Sequence, residues 1–167
     1  MLRNSASAGA VIVEALAAAM IIGLFLAGLF EMNAFNVRTL RSGTETVAAS
    51  LVLQERLDQV RNTTWANVGD ATYLRTVLTT KAVSADALLD LTETLTVSAY
   101  PPPSPAVASA IVTRAASGTT TIVSSNSKLA EQATLRADIT ISWRGNGRRL
   151  ARTRTLCTII AEGGITR

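Results

Sequence analysis

Hydrophobic and polar positions divide the chain into stretches of different period. Residues 15–30, ALAAAMIIGLFLAGLF, hold no charged or polar side chain, and Ala10–Val13 extend the run so that residues 10–30 contain a single acid, Glu14. At about 1.5 Å per residue this run makes roughly 31 Å of helix, the thickness of a bilayer core. Beyond Glu31 the pattern becomes amphipathic. Val37, Leu40, Val47, Leu51, Leu57 and Val60 recur at helical spacing, while Arg38, Arg41, Glu45, Glu55, Arg56 and Arg61 occupy the remaining faces. No proline interrupts residues 10–61. One helix is therefore predicted, with Gly43 as a place for a bend and Asn62-Thr63-Thr64 as its exit. Residues 65–88 carry apolar anchors (Trp65, Val68, Tyr73, Leu74, Val77, Leu78) without a decisive period.

The second half of the chain reads in period two. Leu89, Leu91, Leu95, Val97 and Ala99 alternate with Asp90, Thr92, Thr94, Thr96 and Ser98, and Glu93 is the exception on the apolar side. The run Pro101-Pro102-Pro103-Ser104-Pro105 ends that strand, because proline cannot donate to a ladder. Residues 107–114 and 119–124 are weaker strand candidates joined by Ala115–Gly118. The clearest hairpin comes last. Leu135, Ala137, Ile139, Ile141 and Trp143 share one face, Gly145-Asn146-Gly147 makes the turn, and residues 150–161 return. On the returning strand Ala151, Thr153, Thr155, Cys157 and Ile159 are expected to face inward, with Cys157 as a small buried hydrophobe, and Arg152 and Arg154 to face outward. The predicted fold class is α+β. A long N-terminal helix, with an apolar half at 10–31 and an amphipathic half at 32–62, packs on an antiparallel sheet of about four strands within a domain at 63–167.

Composition narrows the chemistry. The 167 residues hold no histidine and one cysteine, Cys157. That excludes histidine acid–base catalysis, a thiolate metal cluster and an internal disulfide. Asp86, Asp90 and Glu93 match no calcium-loop spacing and are read as solvated charges. Gly145 and Gly147 lie between strands rather than before a helix, so they form a turn and not a phosphate cradle. No enzyme activity, metal or cofactor is expected. The formal charge is +4, with Arg144, Arg148, Arg149, Arg152 and Arg154 concentrated in the last hairpin. This basic patch is read first as a solvated face, next as a contact to acidic subunits, and last as a phosphate-tracking surface for DNA.

Glu14 asks for a partner, since a carboxylate in a membrane-spanning run costs about 2.5–3.5 kcal/mol. Cleavage after Gly9 would make Ala10 a new N-terminus whose ammonium could neutralise Glu14. A short polar leader with Arg3, Gly9, then Ala-Val-Ile-Val-Glu and an unbroken apolar helix together resemble the N-terminus of type IV prepilins and of type II secretion pseudopilins. The resemblance implies a leader at residues 1–9, cleaved between Gly9 and Ala10 by a prepilin peptidase, and N-methylation of Ala10. It also implies an inner-membrane location with the N-terminus cytoplasmic and the C-terminal domain periplasmic. The partners would be other pilins or pseudopilins and an assembly platform, with Glu14 pairing with the amine of an adjacent subunit. The small residues Ala15, Ala19, Gly23 and Ala27 would let neighbouring helices approach. Lack of an internal disulfide favours a minor pilin or pseudopilin over a major fibre subunit. Two alternatives remain: a periplasmic binding module on an uncleaved anchor, and a DNA-uptake minor pilin.

Overall fold

The computed structural model describes residues 5–103, 108–145 and 151–163, with side chains described from residue 11 onward. The chain divides into two compact units, Met1–Arg41 and Ser42–Arg167. Helix α1, Ser5–Arg61, contributes to both. In the first unit every described side chain of residues 11–40 is exposed, the large apolar ones included. The helix is long and apolar enough to cross a membrane.

In the second unit α1 buries one stripe: Glu45, Ala48, Ala49, Val52, Leu53, Arg56, Leu57 and Val60. These positions recur at steps of three and four, as one helix face requires. The stripe is not the one that large side chains alone predict. Leu57 and Val60 do point inward, but Val47 and Leu51 are 60% and 47% exposed, and Val37 and Leu40 are exposed as well. The buried positions in their place are Ala48 and Ala49. Arg56, expected among the solvated charges, is 1% exposed.

The sheet has five strands, one more than predicted, in the order β3-β2-β1-β4-β5. They are β1 (Leu89–Ala99), β2 (Ala110–Arg114), β3 (Thr120–Ser124), β4 (Thr134–Arg144) and β5 (Ala151–Ala161), and every neighbouring pair is antiparallel. The inward faces of β1 and β4 carry Leu91, Glu93, Leu95, Val97 and Ala99, and Leu135, Ala137, Ile139, Ile141 and Trp143, all buried. Leu89 departs from the predicted alternation. It is 53% exposed because the register shifts between Leu89 and Thr92, where Asp90 takes a left-handed φ of 51°.

Strand β5 reverses the predicted faces. Its register with β4 sets Arg152 opposite Trp143, Arg154 opposite Ile141, Leu156 opposite Ile139, Thr158 opposite Ala137 and Ile160 opposite Leu135. Directly opposed residues lie on the same side of a sheet. Arg152, Arg154, Leu156, Thr158 and Ile160 therefore share the helix-facing side, while Thr153, Thr155, Cys157 and Ile159 stand on the outer one. Cys157 is exposed, not buried. The turn residues Asn146 and Gly147, and Ser104 and Pro105 of the proline run, lie outside the described residues.

Residues 65–88 form helix α2 (Trp65–Val68), helix α3 (Ala71–Thr79) and a 3-10 turn at Val83–Ala87. Asp70 caps α3, its side chain accepting from the Thr72 N–H at 2.9 Å. Leu74 and Leu78 are fully buried, and α3 packs over β2 and β3. The outer face of the sheet is hydroxyl-rich. Thr121, Thr113, Thr94, Thr140 and Thr155 stand in register as one row across all five strands. Within it Thr94 and Thr113 bond at 3.3 Å, and Thr140 and Thr155 at 2.9 Å.

Candidate functional site

The sequence places its first candidate on the apolar part of α1. Glu14 lies there with an exposed side chain, and it is the one charge in residues 10–30. Gly9 and Ala10 belong to the same helix, though their side chains lie outside those described. Ala15, Ala19, Gly23 and Ala27 are exposed, and a Cβ added at Gly23 would meet nothing within 4 Å. Each step of four carries a position about 40° round a 3.6-residue helix. The stripe thus winds about α1, offering close approach to helices crossing at an angle rather than a straight seam. A continuous apolar cylinder with one carboxylate near its start suits an environment of other helices and lipid, where an opposite charge neutralises the acid.

The arginines of the last hairpin do not form one row. Arg144 stands on the outer side of β4 and pairs with Asp90 at 3.2 Å. Arg152 turns to the helix side, donating to Ser42 Oγ at 3.0 Å and Glu45 Oε2 at 3.3 Å. Arg154 donates to Ser50 Oγ at 3.0 Å, and Arg61, from α1, donates to Thr158 Oγ1 at 3.0 Å. Together these bonds make a polar seam along which β5 and the second-unit part of α1 run side by side. Gly145 lies against the seam, since a Cβ there would stand 3.2 Å from Arg152 Nε and 3.4 Å from Glu45 Oε2. Arg148 and Arg149 lie outside the described residues. Arg136, on the outer face, donates to Asp138 through Nε and Nη2 at 3.0 and 2.9 Å. That hydrogen bond, with the charge of Asp138, raises the guanidinium pKa above its usual value. The three carboxylates weighed for calcium do not converge. Asp86 pairs with Lys81, Asp90 with Arg144, and Glu93 is buried.

Glu93 is the centre of a site the sequence only hinted at. Its carboxylate is 0% exposed and accepts from Arg56 Nε at 2.6 Å and Nη2 at 3.1 Å, the bidentate geometry of a strong pair. Arg56 Nη1 donates to Gln59 Oε1 and to the Val77 carbonyl, both at 2.9 Å, and Nη2 to the Thr80 carbonyl at 2.7 Å. All five guanidinium N–H groups of Arg56 thus have partners. A second guanidinium, from Arg114, reaches Glu93 Oε1 at 3.3 Å. The cluster ties α1, the end of α3, β1 and β2 together beneath the sheet. Two signals pointed to it: Glu93 broke the alternation of β1, and Arg56 falls in step with Val52, Leu53, Leu57 and Val60.

The fold and these features define an α+β protein whose long N-terminal helix continues from an exposed apolar segment into a helix docked on an antiparallel sheet. No family model matches the chain, and no curated protein or solved structure matches it.

Proposed function

We propose that the chain is a minor pilin or type II secretion pseudopilin, a structural subunit rather than an enzyme. It is inserted in the inner membrane with its N-terminus cytoplasmic, cut between Gly9 and Ala10 by a prepilin peptidase, methylated at Ala10, and drawn by an assembly platform into a filament. The observation that supports this most is Glu14, a lone carboxylate at the start of an exposed apolar helix that leads into a docked one. An unpaired carboxylate costs too much in lipid to be left there. The amine freed at Ala10 of an adjacent subunit is a cation that answers it, and attraction in a low-dielectric core sets register as well as affinity. The sequence holds one cysteine, Cys157, and the lack of an internal disulfide favours a minor subunit over a major one.

Two measurements test the proposal. Mass spectrometry of the membrane-extracted protein is expected to show an N-terminus at methylated Ala10, and an intact Met1 start in cells with active prepilin peptidase would overturn it. Glu14→Val is expected to be inserted and cleaved as the natural chain is, yet to lose crosslinking to partner subunits in sheared filaments. Normal incorporation of the variant would remove Glu14 from the docking role.

A further inference from the structure

The two edges of the sheet are built differently. Strand β3 is five residues long, and its register with β2 shifts between Ile111 and Val112. Short length and a bulge are two ways in which an edge resists pairing with another chain. Strand β5 has neither. It runs for eleven residues, holds no proline or lysine, and keeps an unbroken register with β4 from Ala151 to Ala161. The Glu162 N–H donates to the Ala133 carbonyl at 2.9 Å, which fixes the phase of that ladder. Hydrogen-bonded and non-hydrogen-bonded pairs alternate along an antiparallel pair of strands. Counting back by two from Glu162, the residues Ile160 to Arg152 bond to β4. Ile159, Cys157, Thr155 and Thr153 then turn their N–H and C=O groups the other way. These four residues are exposed, and β5 ends the sheet order, so no described strand meets that edge.

A cleft of about 390 Å³ opens beside this edge, lined by Ser50, Leu53 and Gln54 of α1 and by Arg154, Thr155 and Leu156 of β5. The Thr155 side chain stands on the outer face of the sheet, 2.9 Å from Thr140, so the main chain of β5 forms that wall. Buried Leu53 and half-buried Leu156 give the cleft an apolar part, and Arg154 is exposed. Arg136, Arg144 and Arg152 each have a carboxylate partner. Arg154 donates to Ser50 Oγ, but among the described residues it pairs with no acid. From the free edge, the cleft and this unanswered charge together, we infer that β5 takes an extended acidic segment of a partner protein as a sixth strand, with a glutamate of that segment in the cleft. The four edge residues supply the ladder, Leu53 and Leu156 cover the glutamate methylenes, and Arg154 meets the carboxylate. The same arginine repels basic segments, so it selects as well as binds.

The test is binding of a short peptide, alternating threonine and valine with one glutamate at its centre, to the full chain in detergent. Bound peptide is expected to slow amide exchange at Thr153, Thr155, Cys157 and Ile159 and to leave β3 unchanged. With glutamine in place of the glutamate, affinity is expected to fall about threefold, within the range of an exposed ion pair. Arg154→Met is expected to bind the two peptides alike. Cys157→Pro removes a donor from the free edge and none from the β4 ladder, a change that edge strands tolerate. It is expected to weaken both peptides about fivefold or more; should it not fold, amide exchange in the natural chain decides. Unchanged exchange at the four edge amides would overturn the inference, as would protection along β3 instead or equal affinity of the natural chain for the two peptides. Protection of the same amides by self-association, without peptide, would overturn it too and give the edge to a second copy. None of these readouts involves Gly9 or Glu14, so they stand or fall separately from the pilin reading.

Discussion

At the scale of the residue, the decisive group is Glu93. A buried ion pair is weak evidence of net stability, but removing one member leaves the other charge buried and unanswered, at a cost of about 3–5 kcal/mol. Glu93→Ala leaves two guanidiniums without their carboxylate, and unfolding in urea is expected to show a loss in that range. Arg56→Met is expected to lose a similar amount, since it leaves Glu93 with Arg114 alone and takes this donor from the Val77 and Thr80 carbonyls. Gly69 is a second sensitive position. A Cβ there would lie 3.0 Å from Leu129 Cβ, closer than atoms tolerate without movement. Gly69→Ala is thus expected to cost about 1–3 kcal/mol by overpacking, read as a lower melting temperature. Glu93 was visible in the sequence as a break in an alternating strand, but its partners were not. They come from positions 37 residues earlier and 21 later, and nothing local joins them.

Among the elements, α1 and β5 separate what periodicity can tell from what it cannot. The helix and its exit at Asn62 were legible, and so were the two long strands β1 and β4, because large apolar residues fall on one side of each. The buried stripe of α1 was misplaced by counting bulk: Ala48 and Ala49 pack where Val47 and Leu51 do not. Ala49, fully buried, has no room to grow, so Ala49→Leu is expected to cost about 1–3 kcal/mol. The exposed Leu51→Ala is expected to stay within about 0.5 kcal/mol of the natural chain. Denaturant midpoints of the two variants would test the assignment of faces. On β5 the alternation is clear but its sides are not, because both carry polar residues. Only the register against β4 decides which face meets the helix. The exposed position of Cys157 has a direct readout. A maleimide is expected to label the thiol in the folded protein at a rate within a few-fold of the unfolded chain, and strong protection would return Cys157 to the core. The short helices of residues 65–79 were illegible for a different reason: two brief elements leave no period long enough to distinguish them from a loop.

For the whole molecule, the two units place very different demands on their surroundings. The first offers an apolar run at residues 10–30 with one carboxylate, Glu14, to whatever encloses it; the second carries its own core of α1, α3 and one face of the sheet. Sequence patterning marked a change of composition after residue 31, where the apolar run ends, while the compact units divide later, between Arg41 and Ser42. The charge cluster was beyond its reach, yet it bears on how the second unit comes together. Arg56 finds its partners at sequence separations of 3, 21, 24 and 37 residues. Until both the end of α3 and the middle of β1 have arrived, pressing that guanidinium against apolar surface strips water from a charge and returns nothing. Arg56 is therefore expected to hold α1 off the half-built sheet and to favour a single concerted closure. Pulsed hydrogen exchange during refolding is expected to show amides of residues 48–60, 74–79 and 91–97 gaining protection in one phase. In Arg56→Met that synchrony is expected to break, with the helix docking early on whatever part of the sheet is present.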